Sequence, residues 1–244
     1  MHLFMSLDRS VESQPHQVTA VARAAIGLCA VLAAGPAHAQ ASLSAAITSE
    51  YSVRGVSLSR GRPAPQLRVD YDAPGGWYAG ALASHAVLPD NESGVQLIAY
   101  GGYAQRLPSG FTWEAGALDS SFVHGKEYRY HEFYAGVARD RVGGRLYFSP
   151  SYYGGPKTAY AEVNTSYPLR DRLTLLGHIG LLHAFSGGSG ETRGSGETRN
   201  WVDLRLALGL NLGDWNVQLA VLGRTPGAGV REPRAVAISA SYAF

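Results

Sequence analysis

His183 and Ser186 are the nearest approach in this chain to a hydrolytic pair. A lipid-cleaving site would need both beside an acid or amide that holds the imidazole ready as a base. The positions expected to face the same way on neighbouring segments, Ala159, Ala161, Val202 and Leu204, offer neither group. An enzyme is therefore not expected. Metal binding is no better supported: His85, His124, His131, His178 and His183 are dispersed, and the last two, five apart, fall on opposite faces of a strand. No glycine-rich phosphate motif leads into a helix, and no cofactor is expected. A net charge of +2 without any basic run gives no reason to expect nucleic acid. What remains is charge at strand spacing, beginning with Glu50-x-x-x-Arg54, among acids and arginines that alternate with apolar residues. Charges so arranged can line a water-filled path or pair off into a polar core.

The elements that would position them are strands. In the last ten residues Val236, Ile238, Ala240, Tyr242 and Phe244 alternate with Ala237, Ser239, Ser241 and Ala243. Successive strand residues point to opposite faces, so this segment has one apolar and one wet face. It closes on Phe244, as the last strand of an outer-membrane β-barrel does. Composition agrees: charged residues are 16%, against roughly a quarter in soluble domains, and Gly and Tyr stand at 30 and 14. Past the N-terminal segment no apolar run nears the ~20 residues a membrane helix needs.

An address precedes the strands. Arg23, the apolar run 24–35 and Ala37-x-Ala39 read as the three parts of a signal peptide over residues 1–39, cleaved near Ala39, with a barrel over 40–244. The only cysteine, Cys29, lies inside that segment, so disulfides and thiolate sites are not expected beyond it.

Twelve strands are expected at about 42–54, 63–73, 76–88, 94–107, 110–122, 131–140, 143–153, 157–168, 172–185, 200–212, 214–224 and 234–244. Tight turns at 73–76, 107–110, 140–143, 170–172 and 213–214 alternate with connections at 55–62, 89–93, 123–130, 154–156, 186–199 and 225–233. Short periplasmic turns and longer external loops are the rhythm of such barrels, and an even count returns Phe244 to the periplasm. Pro150 would sit inside a strand and should force a bulge. Strand 76–88 is poorly patterned, and Asp119 falls on the lipid-facing parity near the outer rim. Aromatic belts are expected from Trp77, Tyr78, Phe111, Trp113, Trp215, Tyr242 and Phe244 on one side and from Tyr51, Phe133, Tyr152, Phe185 and Trp201 on the other. The tandem hexamer Gly-Ser-Gly-Glu-Thr-Arg at 188–199 is too polar for a core and reads as an external loop. A soluble sandwich or lipocalin-like barrel would explain the alternation equally well but would turn the apolar set inward.

Inward parity assigns to the lumen Glu50, Arg54, Arg68, Asp70, Glu114, Glu132, Arg145, Glu162, His178, Asp203 and Arg205, with Tyr134, Tyr147, Tyr160 and Asn164. Glu50 and Arg54, ~13 Å apart on one strand, cannot meet, and Arg68 is the expected partner of Glu50. The acids slightly outnumber the bases in this set, which favours weak cation preference.

Thr48-Ser-Glu-Tyr-Ser-Val-Arg-Gly-Val-Ser57, Pro63-Ala-Pro-Gln66, Gly76-Trp-Tyr-Ala-Gly80, Tyr100-Gly-Gly-Tyr103, His131-Glu-Phe-Tyr-Ala-Gly136 and Phe148-Ser-Pro-Ser-Tyr-Tyr-Gly154 run in order along the chain. On these motifs the sequence resembles the TorF-type porin family of proteobacteria. The resemblance implies an outer-membrane barrel acting as a porin and supplies no substrate. The expected fold is thus all-β, a transmembrane antiparallel up-and-down barrel of about 12 strands. The expected partners are outer-membrane lipid, small polar solutes and the barrel-assembly machinery, reached through the strand ending in Phe244. A closed structural or adhesive barrel displaying its loops is the alternative, and a lipid-modifying enzyme a distant third.

Overall fold

In the computed structural model the described residues are 40–88, 93–185, 200–225 and 235–244. The signal segment, Ser186, the hexamer repeat and most of the 225–233 connection lie outside them.

Twelve antiparallel strands close into a barrel. They are β1 (Gln40–Thr48), β2 (Ala64–Asp72), β3 (Trp77–Val87), β4 (Ser93–Arg106), β5 (Thr112–Phe122), β6 (Tyr130–Arg139), β7 (Val142–Ser149), β8 (Thr158–Arg170), β9 (Leu173–Ala184), β10 (Asn200–Leu212), β11 (Trp215–Arg224) and β12 (Ala235–Ala243). Each pairs with its sequence neighbour, and β1 closes the ring by pairing with both β2 and β12, as in Ile47 opposite Pro65 and Ala240. Closure leaves the barrel itself without an edge strand. Both termini of the barrel lie at one end, here called proximal. The tight turns gather there, with Gly75, Gly76, Gly110, Asp140 and Gly213 at positive φ. The longer connections lie at the distal end.

The wall is inside out relative to a soluble protein. Leu204, Leu206, Leu208 and Leu210 on β10, with Leu219, Val221, Val236 and Ile238 beside them, are exposed on the outer surface. Between them Asp203, Ala207, Ala220 and Ala237 are buried within. Trp77, Phe111, Trp113, Trp215 and Phe244 ring the proximal outside, and Phe133 and Phe185 lie outside toward the distal end.

Four expectations are corrected. The first strand stops at Thr48 rather than 54, and a small hairpin, Ser52–Val53 with Val56–Ser57, follows it. The strand ending near 153 stops at Ser149, so Pro150 lies beyond it and makes no bulge; the register shift falls instead between Pro168 and Arg170. Tyr51, Tyr78 and Tyr152 are buried inside the barrel rather than in an outer belt, because each hydroxyl or ring finds polar or aromatic partners there. Trp201 likewise turns its indole N–H inward. Asp119 does keep the lipid-facing parity expected of it, at the rim, where Arg129 and His131 reach it at 3.1 and 2.8 Å.

Inward-facing glycines explain why the composition is rich in both Gly and Tyr. Tyr78 lies opposite Gly102, Tyr100 opposite Gly80, and Tyr134 opposite Gly116. Each ring lies down over a neighbour that has no side chain, so broad phenols fit a narrow interior. A β-carbon at Gly116 would run into the Tyr134 ring and the Gly101 carbonyl. Gly116→Val should therefore cost about 1–3 kcal/mol by overpacking, read as a lower urea midpoint in vesicles. Gly223→Ala, where nothing lies near the added carbon, should leave the midpoint unchanged.

Candidate functional site

Residues 49–63, expected as strand end and external loop, fold back into the distal mouth of the barrel. The tip of the small hairpin is the two-residue turn Arg54-Gly55, both at positive φ (50° and 74°), the backbone that a tight hairpin requires. Gly55 has a second constraint: an added β-carbon would sit 2.9 Å from those of Asp203 and Arg224 on the far wall. The segment is fastened on all sides. Tyr51 donates its hydroxyl to Gln96 at 2.8 Å, Val87 N–H donates to the Leu58 carbonyl at 2.6 Å, and Trp201 Nε1–H donates to the Arg54 carbonyl at 3.0 Å. Leu58 packs against Ala86, Leu88 and Phe122. From the distal loops, Tyr153 stacks on Tyr130 and Phe122, closing over the same space. Burial pushes the Tyr152 and Tyr153 phenols well above their ordinary value, so both stay neutral.

Arg54 is the centre of this arrangement. Its guanidinium forms a two-pronged bond with Glu132 at 2.7 and 2.6 Å and lies over the rings of Tyr160, Tyr147 and Tyr152 at 4.2, 5.0 and 5.0 Å. Both partners are shut away from water, with side chains 8% and 2% exposed. The expected pairing of Glu50 with Arg68 does not occur. With the strand ended at Thr48, Glu50 turns to accept the Gly61 N–H at 2.8 Å. Arg68 instead grips Asp70, two residues along its own strand, at 2.7 and 3.0 Å, and shares Tyr100 with it.

A third pair spans three strands. Glu114, Gly136 and Arg145 form one row across β5, β6 and β7, and the glycine between them lets Arg145 Nε reach Glu114 at 2.7 Å. Tyr78 donates to Glu114 at 2.9 Å, and Arg145 donates to the Tyr147 hydroxyl at 2.9 Å. His178 lies 2.8 Å from Asp203 and 2.7 Å from Asn164, while Tyr160 also donates to Asp203 at 3.2 Å. Glu162 accepts from Asn164 at 3.1 Å and from Tyr147 at 3.3 Å. Most charges in the sequence-derived set are thus gathered into one hydrogen-bonded interior. Arg205 is set apart: it is exposed to water inside the wall and among the described residues donates only to Gln218, at 2.9 Å. The residues missed by sequence reasoning are the hydrogen-bonding tyrosines Tyr51, Tyr78 and Tyr100 and the amides Gln96, Asn216 and Gln218. Gln96, Tyr100, Asn216 and Gln218 had a plain signal in their inward parity.

On the outside, His183 does have an orienting amide, contrary to expectation: Asn200, its cross-strand partner, lies 2.7 Å from Nδ1. Among the described residues the ring has no hydroxyl partner. No group of three or more potential metal-binding side chains occurs among the described residues.

A family model described as a bacterial protein of unknown function, Gcw_chp, matches residues 32–221. The chain belongs to the Gcw_chp family. Curated proteins give no match. Among solved structures this Gcw_chp member is similar to the KdgM porin, with 11% identity, a TM-score of 0.53, and 84% of this chain covering 99% of that one. It is similar to the NanC porin at 12% identity and TM-score 0.52, with coverage of 83% and 98%. It also resembles the COG4313 outer membrane channel from Pseudomonas putida F1, at 11% identity and TM-score 0.50, covering 86% and 96%. At such identities the likeness is one of fold, and these barrels share it nearly end to end.

Proposed function

We propose that this Gcw_chp member is an outer-membrane channel of the TorF-type porin kind, passing small polar solutes, with no catalytic role. Residues 1–39 would be its export signal, and the strand ending in Phe244 its handle for the barrel-assembly machinery. The observation that carries the reading is the inverted wall: Leu206, Val221 and Ile238 outside, charges and amides inside. Only a bilayer meets such a surface without cost, and only a hydrated path gives an exposed interior arginine its solvent. The site set from Glu50 to Arg205 would then divide by depth. The Arg54–Glu132 pair and the residues around it form a distal constriction, and Asn164, His178, Arg205, Asn216 and Gln218 border the lumen on its proximal side.

A second reading, a closed barrel that displays its loops, is favoured by one specific observation, the burial of Arg54 and Glu132 to under a tenth exposed. Osmotic swelling of proteoliposomes separates the two. The channel reading expects swelling with sugars the size of arabinose and none with a trisaccharide. No swelling with any solute would leave the closed barrel standing.

A further inference from the structure

Arg205 differs in its surroundings from Arg54, Arg68 and Arg145. Alternation along β10 turns it inward between buried Asp203 and Ala207, yet it is itself exposed, so it faces water held within the barrel. Arg54, Arg68 and Arg145 each hold a carboxylate, whereas among the described residues Arg205 donates to the neutral Gln218 alone and leaves its other N–H groups unspent. The amides beside it run in one direction. Gln218 Nε2 donates to Asn216 Oδ1 at 2.8 Å, and Asn216 Nδ2 donates to Asn211 Oδ1 at 2.6 Å. Every amide oxygen in this row therefore already accepts one bond, and Gln218 and Asn216 each keep a second N–H to offer. Among the described residues neither Asp203 nor Glu162 closes onto Arg205: Asp203 is buried and occupied by His178 and Tyr160, and Glu162 by Asn164 and Tyr147.

A wall of unspent donors around one accessible guanidinium is complementary to an anion. We propose that Arg205, with Gln218 and Asn216, forms an anion-binding step in the lumen that takes small carboxylates. It lies one inward position below the point where the hairpin tip meets Asp203 and Arg224, so a solute held there has come up to the constriction. Asp70, Glu114 and Glu132 are neutralised by arginines, whereas Glu50, Glu162 and Asp203 hold amide, phenol, imidazole or backbone donors. An anion at this step is therefore taken by direct donation from Arg205 and the amides and not by the net field of the lumen. Its role in passage rests on the channel reading; binding itself is measured separately.

The test is a titration of the folded barrel in detergent micelles with succinate, followed by the ¹⁵Nε resonances of its arginines. One resonance should shift saturably, and arabinose should shift none. Arg205→Gln should weaken binding by about tenfold or more, the order of one lost charge-assisted hydrogen bond. Arg205→Lys should keep most of the affinity, and Arg172→Gln, in a proximal turn, all of it. No saturable shift in the wild type, or equal binding by Arg205→Gln, would overturn the proposal. Succinate binding in a barrel that passes no solute would overturn the channel reading alone.

Discussion

Arg54→Asn should loosen the distal end of the barrel more than any other single change. Asparagine tolerates the left-handed backbone at the hairpin tip, so the substitution removes the guanidinium without adding backbone strain. It leaves Glu132, 2% exposed, as a buried carboxylate with no cation. Breaking one side of such a pair costs about 3–5 kcal/mol, largely the penalty of the stranded charge. The three tyrosines under Arg54 lose their cation as well. Urea unfolding in vesicles should show the loss, and solute flux should rise as residues 49–63 lose their main anchor. The double change Arg54→Asn with Glu132→Leu should regain much of the stability, because no charge is then left unpaired. An unchanged urea midpoint in Arg54→Asn would mean that the pair does not hold the segment.

Leu206→Arg tests the other face. Leu206 is 57% exposed on the outer wall, midway along β10 and opposite Val221. If acyl chains cover that wall, an arginine there should cost about 2–4 kcal/mol, the range for a cation at the bilayer midplane of a barrel. In water the same replacement at an exposed position would be neutral or improve solubility. The sign of the effect in vesicles therefore decides what the wall touches. Tolerance of the Leu206→Arg change would return the chain to a soluble barrel, with the further difficulty of an apolar exterior to explain.

The parts legible in the sequence are those governed by local alternation. Strands β10 and β11 fall within a residue of expectation because Leu204, Leu206, Leu208 and Leu210, then Val217, Leu219 and Val221, mark one face without interruption. The short and long connections likewise declare their ends through Gly, Pro and Asp. The inturned hairpin is hidden by the same rule. Ser52 and Arg54 continue the inward parity of Thr48 and Glu50, so alternation alone carries the strand on through 54. Its thirteen residues exceed the ~10 a barrel strand needs, and Val53-Arg-Gly-Val56 is a two-residue turn between short apolar flanks. Those two signals together could have found it. The pairing of interior charges is beyond reach for a different reason. Arg145 reaches Glu114 only because Gly136 stands between them in register, and Arg54 reaches Glu132 only because the chain folds back across the mouth. Inwardness follows from parity; partnership follows from register and from a loop that parity does not describe.

The most direct test of the whole account is planar-bilayer conductance of the purified barrel, wild type beside Arg54→Asn. The account predicts small single-channel steps in the wild type and larger ones once the Arg54–Glu132 clasp is gone. Silence from both proteins, when both are shown to be folded and inserted, would contradict it.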